Sequence, residues 1–441
     1  TPQCTWRVDL PTPLGFDTFV QNLKTLVRTV NERVFFVRRN GVHVEPPQPL
    51  PNSISQTLED FKSRLQAQRA TYGPVARWSA AKVVRHYTGR KRVRYEQAAA
   101  EYYLHGFRKA CSYVRGFLKW EKICSSPWIK PWSDRICRLI SPRTPLYNLV
   151  VGRYLLACEK PVFEMIDRVY DSLRPAGEVW PTIMKGLNAQ DTANIIASKF
   201  SRFKNPVVIM MDATRWDQHV SEDCLKWEHS IYLLLFGTAK ERKELRRLLK
   251  WQLFNKVTAA ARGGYVKFKL KGGRMSGDIN TSMGNCLLMS ALTYAYITSR
   301  GVSNAEVCNN GDDTFVILEA TDLAKLPEED GKVWWTKRGF TMDFEGIARR
   351  MEDIKFCQCR PVWTGDTWLM VRDVDPVLSK DIISLKPLTT PKLRAAYLWS
   401  IATGGLATYG GIPVLDSFYK CLLRGSQMYS KNETLFLKYK P

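Results

Sequence analysis

The sequence predicts an α+β fold, on three observations. A short unbroken apolar run, Val207-Val208-Ile209-Met210-Met211, follows Pro206 and stops at Asp212, as in a strand buried on both faces. Two further short runs, Ala305 to Cys308 and Thr314 to Leu318, flank the acidic segment Asn309-Asn310-Gly311-Asp312-Asp313 and read as a β-hairpin. Helical patterns surround these strands, from about Gly152 to Leu173, from Asp191 to Phe203, and again from near Ser221.

Along the chain, the first 60 or so residues hold a Pro-rich stretch, Pro46-Pro47-Gln48-Pro49-Leu50-Pro51, expected to be an extended loop. Glu59 to Lys122 is mainly helical in pattern and strongly basic, with Arg85, Arg90, Lys91, Arg92 and Arg94 crowded beside Tyr87 and Tyr95. Such a run is either a solvated face or a nucleic-acid contact. Arg135 to Arg143 alternates basic and apolar residues, as on a strand with one wet face. Ser276-Gly277-Asp278 precedes a helix-like run rich in small residues, and the tail from Leu385 is helical with Gly-rich interruptions at Gly404-Gly405 and Gly410-Gly411. There are no internal repeats.

Composition narrows the partners. The 441 residues are 45% hydrophobic, enough for a sizeable core in one large multi-part domain or a few small ones. The formal net charge of +24 makes a polyanion the natural counterpart, either nucleic acid or an anionic membrane surface. Eleven cysteines are scattered without a CxxC pair, and Cys357-Gln358-Cys359 is too close for a zinc knuckle by itself. Reduced thiols are expected, with no disulfide partner. The longest apolar run, near Cys286 to Thr298, falls short of the ~20 residues of a membrane span. The chain starts at Thr1 without a Met or a signal peptide, so it is expected to be a piece of a longer product. Any membrane anchor is expected in the missing part or on a partner.

The acidic residues suggest phosphoryl chemistry. Joining a nucleotide to a 3′ end requires no protein nucleophile; it requires two divalent ions about 4 Å apart, held by carboxylates on rigid strand ends. Asp212 ends one buried strand, and Asp312 and Asp313 lie at a hairpin tip. If the strands are neighbours, the three carboxylates converge, and their mutual repulsion makes a cation the natural resolution. Taken singly, Gly311-Asp312-Asp313 is equally a surface turn and Asp212 equally a helix cap. Between them, Ser276 to Asn285 combines small residues, which let backbone approach a ligand, with Asp and Asn side chains able to bond a ribose 2′-hydroxyl. Arg138 and Arg143 offer forked, permanently charged contacts to phosphate. Two alternatives remain: a non-catalytic basic RNA-binding protein, which gains nothing from carboxylates among its basic contacts, and a reverse transcriptase, against which Asp278, Asn285 and the Gly before the Asp pair argue.

Together these segments resemble the viral RNA-dependent RNA polymerases, above all the replicases of tombusvirus-like and carmovirus-like plant viruses. Asp212-Ala213-Thr214-Arg215-Trp216-Asp217-Gln218-His219-Val220-Ser221 looks like motif A, with Trp216 where the family more often has Phe. Ser276 to Asn285 looks like motif B, Gly311-Asp312-Asp313 like motif C, Phe356-Cys357-Gln358 like motif E, and Arg138-Leu139-Ile140-Ser141-Pro142-Arg143 is similar to motif F. Phe117 to Lys122 and Gly410-Gly411-Ile412-Pro413 also resemble family segments. The resemblance runs from about Tyr87 to the C-terminus.

The resemblance implies a right hand of fingers, palm (an antiparallel sheet) and thumb, closed by fingertips. Its parts would be a 1–60 extension joining fingers and thumb, fingers at 61–205 with 237–274, palm at 206–236 and 275–355, and motif E and thumb at 356–441. It implies that Asp212, Asp312 and Asp313 are catalytic and ligate two Mg²⁺ ions, with Mn²⁺ able to substitute. Asp217, Ser276, Gly277, Asp278, Thr281 and Asn285 would select the ribose. Arg138 and Arg143 would grip the triphosphate, Lys337 is the nearest candidate for a general acid, and Phe356, Cys357 and Gln358 would lie near the nascent strand. Arg90, Lys91 and Arg92 are candidate template contacts. The implied partners are template and product RNA, nucleoside triphosphates, an auxiliary viral replication protein and host membranes, within cytoplasmic replication complexes that copy a positive-strand genome without a primer.

Overall fold

Continuous apolar runs demand cover on both faces of a sheet, and the computed structural model, which describes residues 6–39, 41–175 and 180–426, provides it. Four antiparallel strands form the central sheet in the order Ala305–Asn310, Asp313–Glu319, Pro206–Ala213, Met342–Ala348. Successive side chains of a strand point to opposite faces, and the core divides accordingly. Ile209, Met211, Ala213, Val307, Val316 and Leu318 enter the largest hydrophobic cluster. Their neighbours Val208, Cys308, Phe315 and Ile317 enter a second one beneath. The first cluster is built from the Pro145–Tyr170, Glu222–Leu234 and Thr281–Ser299 helices, the second from the Ala189–Ser201 helix with Met351, Phe356 and Met370.

A second four-stranded sheet runs Gly264–Lys271, Phe254–Ala261, Val114–Leu118, Leu139–Ile140. The Leu23–Val30 helix packs on it through Leu26 and Val30. The N-terminal region also reaches the C-terminal part of the chain, because Trp6–Arg7 pairs with Ile383–Ser384. The Pro-rich loop is extended, as expected, and is pinned where Leu50 N–H donates to the Lys337 carbonyl at 2.9 Å.

Three local expectations change. The basic 59–122 stretch is helical only to His105, because Val114–Leu118 alternates buried and exposed residues and joins the second sheet. Within Arg135 to Arg143 only Leu139–Ile140 is a strand; Pro142 ends it, and the chain turns into the Pro145–Tyr170 helix behind the Thr144 cap. Gly404-Gly405 does not interrupt the Pro391–Tyr409 helix: Gly405 makes room for the Tyr419 ring, and the break comes at Gly410-Gly411. The described cysteines are all unpaired. No described helix is long and apolar enough to cross a membrane.

Candidate active site

The register of the central sheet assembles the acidic residues. Asp313 stands opposite Asp212 on one side of the Pro206–Ala213 strand, and Asp343 stands opposite it on the other. Asn310 pairs with Asp313, so Gly311 and Asp312 are the two turn residues. Gly311 has φ of +84°, which glycine adopts without strain. Buried Asn309 braces the turn: its Nδ2 donates to the Gly311 carbonyl at 2.8 Å, and its Oδ1 accepts from Gly311 N–H at 3.3 Å. A bulge between Phe344 and Gly346 places Glu345 near the same cluster.

Crowding has an electrostatic consequence. Burial, reinforced by Glu345, Asp313, Asp312 and Asp343, pushes the Asp212 carboxyl up to about 6. Asp312 and Asp313 keep solvent contact, yet the surrounding protein raises both, with Arg138 opposing the rise at Asp312 and Lys355 at Asp313. Among the described residues no three such side chains already converge as a finished metal site. The strand register sets Asp212 beside Asp313 and Asp343. An all-oxygen donor set under mutual repulsion suits a hard divalent cation, whose charge would draw the carboxylates in.

A cavity of about 460 Å³ opens in front of Asp212 and Asp312. Its lining brings Asp217, Ser276, Thr281 and Asn285 together with Arg33, Lys119, Arg138 and Arg215. Burial, with Arg215 and Arg138 nearby and Glu121 opposing them, pushes the Arg33 guanidinium down to about 10. Arg138 is held in a two-pronged pair with Glu121, with Nε to Oε1 at 2.6 Å.

The expected residues divide between this cavity and other places. Asp212, Asp312, Asp217, Ser276, Thr281, Asn285 and Arg138 line it, and Asp313 adjoins it. Arg143 and Asp278 do not reach it. They are 4% and 8% exposed and form an ion pair behind the Ser276–Asp278 loop, with Arg143 Nε to Asp278 Oδ1 at 2.6 Å. The other arms of Arg143 donate to the Ser112 carbonyl and to Asn255 Oδ1, each at 2.6 Å. A guanidinium so fully engaged holds the loop rather than a phosphate, and its carboxylate partner is correspondingly unavailable to a ribose. Gly277 permits the packing, since a Cβ there would lie 2.6 Å from Pro142 N. Thr281 clamps the same loop through the carbonyls of Met275 and Asp278.

Lys337 caps the end of the Glu328–Thr336 helix, exposed and outside the cavity lining. Phe356, Cys357 and Gln358 form a tight turn closed at Cys359, with φ of +51° at Cys357 and +62° at Gln358. The Asn310 amide donates to Cys357 Sγ at 3.3 Å, which sets this turn against the acidic hairpin. Arg90, Lys91 and Arg92 are exposed on the Gly89–His105 helix; Lys91 borders a separate cavity shared with Arg143 and Asp278.

Sequence reasoning missed Arg33, Lys119, Arg215, Asp343 and Glu345. Three of them had a visible signal. Arg215 lies between Asp212 and Asp217, Lys119 lies in the Phe117–Lys122 segment, and Asp343 follows Met342 in an alternating run. Arg33 had none, because only the fold carries the N-terminal region to the cavity.

Comparisons with known proteins place the chain in a family. A family model described as viral RNA dependent RNA polymerase matches residues 9–440. A protein of oat chlorotic stunt virus called RNA-directed RNA polymerase is 36% identical over 417 residues, covering 93% of this chain and 53% of its own length. The equivalent of melon necrotic spot virus is 38% identical over 427 residues, covering 96% and 51%. That of turnip crinkle virus is 34% identical over 412 residues, covering 93% and 50%. The chain spans about half the length of these curated relatives. It belongs to the family of viral RNA-dependent RNA polymerases.

Proposed function

We propose that this chain copies RNA from an RNA template by nucleotidyl transfer, as the polymerase portion of a positive-strand plant virus replicase that starts without a primer. The observation that carries the reading is one cavity lined both by the carboxylates of Asp212 and Asp312 and by the guanidinium groups of Arg33, Arg138 and Arg215. Anionic oxygens of an incoming triphosphate fit between them. The 3′-oxygen of the growing strand attacks the α-phosphorus as the bond to the β-phosphate oxygen breaks, and pyrophosphate leaves toward the guanidinium groups. Bound Mg²⁺ or Mn²⁺, two ions in this reading, would be held by Asp212, Asp312 and Asp313 and would stabilise the attacking and leaving oxygens. In this reading Asp217, Ser276 and Asn285, which line the same cavity, read the ribose.

In this reading the central sheet is the palm, the second sheet and the helices from residue 61 to 205 belong to the fingers, and residues 356–441 carry motif E and the thumb. The N-terminal residues that pair with both regions join fingers to thumb at the fingertips. The excess positive charge suits template and product RNA. An auxiliary viral replication protein and host membranes complete the assembly, with the replication complex in the host cytoplasm.

Two results test the site. Mn²⁺ should raise the thermal unfolding midpoint of the wild-type chain, by an amount equivalent to about 2–3 kcal/mol when the ion is at a hundredfold excess over its dissociation constant. Asp212→Asn should lose most of that rise. An equal rise in both proteins would place the ion elsewhere. Arg33→Ala should raise the KM for nucleoside triphosphate about tenfold, the worth of one charge-assisted contact. An unchanged KM would remove Arg33 from the phosphate contacts.

A further inference from the structure

Asn285 sits in the first turns of the Thr281–Ser299 helix, and its carboxamide has two chemically different ends. Which end faces the cavity decides what it can recognise, because the NH₂ donates and the carbonyl only accepts. Arg274 decides the orientation. Its Nε lies 2.9 Å from Asn285 Oδ1, and a guanidinium nitrogen can only donate. The amide oxygen therefore faces Arg274, which leaves the NH₂ for the cavity that Asn285 and Asp217 line together; burial raises the Asp217 carboxyl, and the Asn285 amide is among the groups that oppose that rise. A flipped amide would set donor against donor at Arg274 and acceptor against carboxylate at Asp217.

Arg274 is itself immobilised. It forms a two-pronged pair with Glu228, with Nη1 to Oε1 at 3.1 Å, and the two side chains are 1% and 0% exposed. Glu228 also accepts from Asn280 Nδ2 at 2.9 Å and from the Tyr232 hydroxyl at 2.7 Å. The Arg274 backbone N–H donates to the Asp217 carbonyl at 2.8 Å. Gly284 lets the pair lie against the helix backbone: a Cβ there would sit 2.7 Å from Arg274 Nη2.

The geometry points to Arg274, held by Glu228, as a positioning residue that locks Asn285 with its NH₂ toward Asp217 and the cavity. This inference rests on the polymerase reading and deepens its ribose subsite. A 2′-hydroxyl both donates and accepts; it would donate to Asp217 and accept from the Asn285 NH₂. A deoxyribose satisfies neither group, which is the kind of mismatch that gives strong discrimination.

The test is the ratio of kcat/KM for ATP over dATP on an RNA template, measured for the wild-type chain, R274K, N285A and R274K/N285A, with thermal unfolding of each. Lysine keeps a positive charge beside Glu228 but lacks the fork that spans Glu228 and Asn285 together. The ratio should fall about tenfold in R274K, the size of one lost hydrogen bond, and should fall no further when R274K is added to N285A. An unchanged ratio in R274K or in N285A, or the same R274K factor in both backgrounds, would overturn the positioning role. If R274K does not fold, R274M/E228Q removes both charges together at similar volume and is read by the same ratio with and without N285A. A folded wild-type chain with no template-dependent incorporation would overturn the polymerase reading and this inference with it. Normal incorporation with an unresponsive ratio would overturn this inference alone.

Discussion

Asp312→Asn should lower nucleotide incorporation by roughly a thousandfold or more, the scale seen when a group acting directly on transition-state charge is removed. The substitution keeps the shape of the side chain and changes its charge and metal affinity. The fold should tolerate it. Asp312 stands at a turn braced by Asn309 through backbone contacts that do not use its carboxyl. Its negative charge also helps hold the Asp212 carboxyl above its ordinary range, so removing that charge relieves repulsion. Thermal unfolding of the variant should therefore match or exceed the wild type in the absence of divalent ions, while incorporation is lost. Full retention of incorporation would exclude Asp312 from the chemistry.

The second large effect concerns stability behind the same hairpin. Glu306 is completely buried and faces three cations: Arg174 Nε at 3.0 Å, Arg202 Nε at 3.1 Å and Lys199 Nζ at 3.5 Å. Arg174 also binds Asp171 and Thr182, and Lys199 donates to the Val307 carbonyl at 2.6 Å. Glu306→Ala takes away the carboxylate that all three share. Breaking a buried pair by removing one partner costs about 3–5 kcal/mol, and here one carboxylate balances several charges. A denaturant-unfolding series should show a loss of that size. A change below about 1 kcal/mol, typical of an exposed pair, would mean that the cluster rearranges around the vacancy.

The residues of the acidic site were readable because local pattern and chemistry coincide there. Val207 to Met211 announces a buried strand, Asp212 ends it, and Gly311 permits the turn that carries Asp312. What escaped sequence reading depends on long-range packing. Arg143 and Asp278 have the right chemistry for phosphate and ribose, yet they lie 135 positions apart in the chain and find each other in the core. No local pattern distinguishes such an arginine from Arg138, which faces the cavity. Arg33 shows the converse, a residue in an uninformative segment that the fold delivers to the cavity. Glu306 reads as an ordinary polar residue in Ala305-Glu306-Val307-Cys308, because its three partners come from helical and loop segments more than 100 residues upstream. The helix through Gly404-Gly405 was misjudged for a related reason: glycine signals a break when read locally, whereas here Gly405 lets Tyr419 approach.

The measurement that bears most directly on the central claim is incorporation of labelled nucleotide by the purified 441-residue chain on a defined RNA template with Mg²⁺ or Mn²⁺. The expected result is a product complementary to the template, dependent on the divalent ion, formed from ribonucleotides in preference to deoxynucleotides and absent with Asp312→Asn. Binding of the RNA by folded protein without any templated product, or a product formed equally well by Asp312→Asn, would contradict the account.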